Sequence, residues 1–180
     1  MIEFLNDYHG FAEHFGKEIN DLFPEESFSL KFLPFNLEHR LANADNTPFA
    51  SYSKTGNSPR QIVYNNSLIA NYDLSDSEIW ACIAHEIGHI IRQDSLDTDN
   101  DPLKESKCDS FAAKLNLQFY MASALVKIQA LIKEDKLDVR LERLSKAINI
   151  YRPEWTCGRY NTKKQAIYYN LTQVSQVTKI

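Results

Sequence analysis

The chain has 180 residues, a length that one core commonly reaches, and 43% of them are apolar, with ten Phe, nine Tyr and two Trp. That content is enough for a packed core and argues against a disordered chain. A net charge of −4 with a pI near 5.7 gives no support to a nucleic-acid surface.

Residues 2 to 23 place Ile2, Leu5, Phe11, Phe15, Ile19 and Leu22 at helical intervals, which predicts an amphipathic first helix ended by Pro24. "SFSLKFLPF" then alternates Phe28, Leu30 and Phe32 with Ser29 and Lys31. This is a strand pattern, and Pro34 predicts an edge or a short strand. In "PFASYSKTGNSPRQIVYNN" two strand-like runs flank the turn cluster Thr55-Gly56-Asn57-Ser58-Pro59, a hairpin with a longer loop.

From Ser75 the pattern turns helical. Ser75 with Glu78 forms a capping box, and the acidic first turn suits the positive end of the helix dipole. A second helix opens near "NDPLKESKCDSFAAKL", with Asp101 as cap and Pro102 in the first turn. Met121, Leu125, Ile128 and Ile132 outline a third, and Leu137, Leu141, Leu144 and Ile148 a fourth. The tail holds a capping box in "TKKQ", 162–165, before Ile167, Leu171 and Val174. A helix, a small antiparallel or mixed sheet and then more helices make an α+β arrangement.

Cys82, Cys108 and Cys157 are odd in number and lack C-x-x-C spacing, so they read as reduced thiols rather than a disulfide framework. No apolar run reaches the roughly 18–20 residues of a spanning helix, and the N-terminus lacks the basic start of a signal peptide. The expectation is a soluble, cytoplasmic protein with no membrane or nucleic-acid partner. The pattern carries no signal for oligomeric state.

The chemistry concentrates in "IWACIAHEIGHIIRQD", 79–94. A helix advances about 100° per residue, so His85 and His89 stand some 40° apart, one turn above the other. Ile83, Ile87, Ile90, Ile91 and Trp80 occupy the opposite sector and are expected in the core. Two imidazoles at i and i+4 converge on one point, as Zn²⁺ ligands do. Glu86, at the edge of that face, is placed to serve as general base toward a metal-activated water. The bland alternative is a pair of satisfied or solvent-facing histidines. H-E-x-x-H arises by chance in roughly one chain in a hundred of this length, and seldom mid-helix behind a cap. The metal reading is therefore preferred.

A catalytic zinc takes three protein ligands and leaves a position open. Glu105, Cys108 and Asp109 share a face of the next helix, so one can ligate while another supports it. Cys82 reads as a packing residue. His9, His14 and His39 lack partners at recognisable spacing.

"AHEIGHII" followed by "ESKCDSFAAKL" resembles the ImmA/IrrE-type zinc metallopeptidases, compact relatives of the gluzincins, over roughly residues 50 to 121. Their pattern is H-E-x-x-H, then E-x-x-A-[DN]-x-F-A on a second helix. An upstream strand ends in Asn, as "QIVYNNS" does. The resemblance implies a single zincin-like domain over 1–180. Residues 1–72 would hold the N-terminal helix and sheet, 75–116 the metal-site helices and 119–180 a C-terminal helical part.

It further implies His85, His89 and Glu105 as zinc ligands, Glu86 as base, and Asp109 accepting a hydrogen bond from a ligand histidine, with Cys108 beside it. Phe111 and Ala112 would pack between the two helices, and Gly88 would admit a close neighbour. Cys108 departs from the family's Ala, and the Met-Pro helix ending is replaced by "LQFYMAS". No helix-turn-helix is evident.

The implied activity is hydrolysis of peptide bonds in a peptide or protein, with Glu86 moving the proton. A zinc-retaining regulatory protein with little turnover is the alternative. The oxyanion donor is open among Arg159, Tyr160, Tyr120 and Tyr52. The strand "RQIVYN" is expected to be the edge on which an extended substrate pairs.

Overall fold

The structure is a computed structural model, and it describes residues 1–35, 47–52, 58–92, 102–132, 140 and 143–144. The expected helix over 2–23 divides in two. Ile2–Phe4 form a strand, β1, and the helix proper, α1, spans Phe11–Leu22. The break lies in "NDYHG". There the Asp7 carboxylate accepts hydrogen bonds from the backbone of Tyr8, Ala12 and Glu13, and Gly10 takes φ 72°. These local bonds compete with a continuous helix. Phe11, Phe15 and Ile19 point inward, and α1 stops at Phe23, ahead of Pro24 as expected.

Strand β2 (Phe28–Pro34) runs parallel to β1, with α1 as the crossover that parallel pairing requires. Strands β3 (Phe49–Tyr52) and β4 (Arg60–Tyr64) pair antiparallel in the expected hairpin, whose residues Thr55, Gly56 and Asn57 lie outside the described ones. The order is β1-β2-β4-β3, a mixed sheet.

Two edge assignments are thereby corrected. Strand β2 lies inside the sheet, because Pro34 is its last residue, opposite Tyr64, where a missing N–H breaks no interior ladder. Strand β4 is interior as well, since Leu30–Pro34 of β2 take its other side. The outer strand beside it is β3.

Ile2, Leu30, Phe32, Phe49 and Ile62 are buried on the sheet in one cluster with Phe11 and Phe15 of α1. Asn65 follows β4 and caps an unforeseen short helix, α2 (Asn66–Asn71), accepting from the N–H groups of Ser67 and Leu68.

Helix α3 (Asp76–Arg92) opens with the expected capping box. The Glu78 carboxylate accepts from Ser75 N at 2.7 Å, and Glu78 N donates to Ser75 Oγ at 3.4 Å. Glu78 is buried and also accepts from Ser123 Oγ and Lys127 Nζ, both on α5 (Gln118–Ile132). At the other end of α3, Arg60 Nη1 donates to Ile90 O at 2.8 Å. Ile79, Ile83, Ile87 and Ile90 join the core, while Trp80 and Ile91 are partly buried at its margin.

Helix α4 (Pro102–Lys114) begins at Pro102 as expected and crosses α3. Its expected cap, Asp101, lies outside the described residues, as do Leu137, Leu141, Ile148 and the tail's capping box. Arg140, Arg143 and Leu144 are helical. No helix among the described residues is long and apolar enough to cross a membrane.

Candidate metal centre

The crossing of α3 and α4 depends on Gly88. A Cβ there would stand 3.1 Å from Cys108 Cα and 3.2 Å from Phe111 Cβ, so only glycine admits α4 without displacement. Phe111 and the fully buried Ala112 fill the interface, with Phe111 stacked on Phe23 at 4.9 Å. This contact places the face of α4 that begins at Glu105 against the histidine stripe of α3.

His85 Nε2 and His89 Nε2 lie 3.0 Å apart. Glu105 spans both, with Oε2 at 3.2 Å from His85 Nε2 and Oε1 at 3.3 Å from His89 Nε2. Donors about 2.0–2.1 Å from a tetrahedral zinc stand about 3.3 Å from one another, so the spacing fits such an ion. His85, His89 and Glu105 are the group of His, Cys, Asp and Glu among the described residues whose atoms could hold a metal. His85 is buried, while His89 and Glu105 are partly open, so the donors close the site on its inner side.

The three candidates on α4 have different positions. Glu105 joins the donor cluster. Asp109 lies behind His85, its Oδ1 at 2.9 Å from Nδ1, which directs the lone pair of Nε2 into the cluster. Cys108 is fully buried, and its thiol is not among the converging atoms.

Arg140 was not singled out by its spacing. Its guanidinium forks onto Asp109 at 2.6 and 2.9 Å, and Nη1 reaches Glu105 Oε2 at 3.1 Å. Nη2 and His85 Nδ1, 3.2 Å apart, share Asp109 Oδ1 as acceptor. The only signal in the sequence was an arginine within a helical pattern, which a surface helix would show equally.

The electrostatics are those of a site that attracts a cation. Burial and Arg140 push the His85 imidazole down, yet its bonds to Asp109 and Glu105 carry it above its ordinary value. Burial likewise lowers His89, but Cys108, Glu105 and the charge of Glu86 raise it to about 11. Burial pushes the Glu105 carboxyl up, and the two histidines and Arg140 overcome this, holding it well below the usual carboxylate range. Asp109 is lowered against its burial, chiefly by Arg140. Without an ion, protons on the imidazoles supply the positive charge that the carboxylates draw in. The donor set therefore fits a divalent metal.

Glu86 is half-buried beside this cluster. Its charge acts on His89, on the buried Cys82 thiol and on Tyr52 at the end of β3. Burial first, then Glu86, push the Tyr52 phenol up, so it stays protonated. Tyr120 instead meets Phe119 edge-on, and Arg159 and Tyr160 lie outside the described residues. Cys82 is packed in the core, as expected. His9 pairs with Asp76 at 2.7 Å and His14 stacks on Trp80 at 4.8 Å, away from the donors. His39 lies outside the described residues.

The family model of Peptidase family M48 matches residues 38–101, roughly a third of the chain. The match includes β3, β4, α2 and α3 with His85, Glu86 and His89, and ends before Glu105. Over that stretch the chain is similar to metal-dependent peptidases. No curated protein and no solved structure matches the chain.

Proposed function

We propose that this chain is a zinc-dependent peptidase of the ImmA/IrrE type that acts in the cytoplasm on a peptide or protein substrate, such as a regulatory protein. The observation that carries the reading is the convergence of His85 Nε2, His89 Nε2 and the Glu105 carboxylate beside Glu86. A bound zinc supplies Lewis acidity, polarising a water molecule and a peptide carbonyl.

Glu86 accepts the proton of the attacking water and returns it to the amine as the C–N bond breaks. Asp109 keeps His85 in the tautomer whose Nε2 is a donor to the ion. The substrate lies extended along β3, the outer strand, with main-chain hydrogen bonds supplying affinity. Cys82 and Cys108 are buried and in no disulfide among the described residues, in keeping with a reducing compartment.

The test compares wild type with Glu86→Gln on a mixed peptide library read by mass spectrometry. Both proteins are expected to hold one zinc per chain. The variant should lose about 10²–10⁴-fold of the cleavage rate while still capturing peptides. Capture should slow amide exchange across Phe49–Tyr52, and unchanged exchange there would refute the placement on β3. Zinc in both proteins with cleavage by neither would make the chain a metal-retaining binding protein. Absence of zinc from purified wild type would overturn both readings.

A further inference from the structure

Glu105 is the donor that can bind an ion in two ways, since a carboxylate ligates through one oxygen or through both. Its Oε1 lies 3.3 Å from His89 Nε2 and its Oε2 3.2 Å from His85 Nε2, so both oxygens face the cluster. Behind Oε2 stands Arg140, with Nη1 at 3.1 Å. The guanidinium is not free to follow that oxygen toward an ion. Its Nε and Nη2 are forked onto Asp109 at 2.9 and 2.6 Å, and Arg140 and Asp109 are both buried. All three nitrogens are thereby committed, in the planar geometry that a guanidinium imposes.

We propose that Arg140 is a positioning residue that holds Oε2 of Glu105 and leaves Oε1 as the single oxygen given to the metal. The inference rests on the metal-site reading above and concerns how one of its donors is presented.

Charge and coordination both favour this division. An oxygen in a charge-assisted hydrogen bond to a guanidinium has less electron density to give to an ion. Asp109 and Glu105 bring two negative charges and Arg140 one positive charge, so a negative balance remains for a cation. With one oxygen from Glu105, the two histidines complete three ligand atoms and a fourth position stays open for water, as a catalytic zinc requires. With both oxygens bound, Glu105 would compete for that position itself.

The experiment loads the full chain with cobalt(II), which absorbs strongly in the visible when four-coordinate and weakly when five- or six-coordinate. Wild type should give the strong band. Arg140→Ala frees Oε2 to bind beside Oε1, and the band should fall several-fold in protein saturated with cobalt. Saturation separates this change from any loss of affinity. Arg140→Lys, which keeps a cation next to Oε2, should return most of the band. A weak band in wild type would overturn the inference while leaving the metal reading in place, and that measurement needs no variant to fold. A strong band in Arg140→Ala would overturn it too. So would an equal loss in both variants, which would mark a packing effect. If wild type binds neither cobalt nor zinc, the metal reading falls and this inference with it.

Discussion

Single residues set the chemistry here, and they differ in how legible they were. His85 and His89 could be read because one helical turn imposes their convergence, with Glu86 at the edge of the same face. Asp109 and Cys108 could be placed on the right face of α4, but only the packing shows that Asp109 stands behind His85. Arg140 was hidden because its partners are distant in sequence and its spacing is that of any helix surface. Its removal is expected to be severe. In Arg140→Ala, Asp109 and Glu105 lose a shared cation, and breaking such a buried pair costs about 3–5 kcal/mol. Urea denaturation should show that loss in metal-free protein and a smaller one with zinc bound, since the ion replaces part of the charge. An equal loss in both states would count against a role at the metal centre.

Elements were legible where local and tertiary preferences agree. Helix α3 has a capping box, an acidic first turn and a continuous apolar sector, and it formed as read. β1 did not, because three residues give too short a pattern to distinguish from the first turn of a helix. The position of β4 within the sheet was also beyond local pattern, since it depends on a parallel partner far back in the chain. The α3–α4 crossing was foreshadowed by Gly88 and is open to a direct test. Gly88→Ala puts a methyl within 3.3 Å of Cys108 and Phe111 atoms, so α4 must shift. Overpacking of this kind costs about 1–3 kcal/mol. Because α4 carries Glu105, zinc affinity should fall along with stability. Chelator competition that finds native affinity would show that the crossing does not set the donor spacing.

At the level of the whole molecule, metal and proton compete for the same atoms. In metal-free protein His89 is raised from 6.5 to about 11, so its stabilisation is complete below pH 6.5 and is lost as pH rises toward 11. Glu105 is lowered from 4.5, so its contribution is present above that value and is lost as pH falls. Zinc binding instead strengthens with pH, because the imidazoles must give up their protons. The gap in melting temperature between zinc-loaded and chelator-treated protein should therefore widen from pH 6 to pH 9. A gap that stays constant would contradict ligation by these histidines. The two fastenings of α3 bear on how such a protein could be controlled. Ser123 and Lys127 hold Glu78 at one end, and Arg60 holds Ile90 O at the other. The helix is a fixed beam, and any switch that withdrew its histidines would have to dismantle the core. Adjustment is cheaper from α4, which supplies one donor, Glu105, and the Asp109 support of His85, so variation among descendants of this chain should collect there.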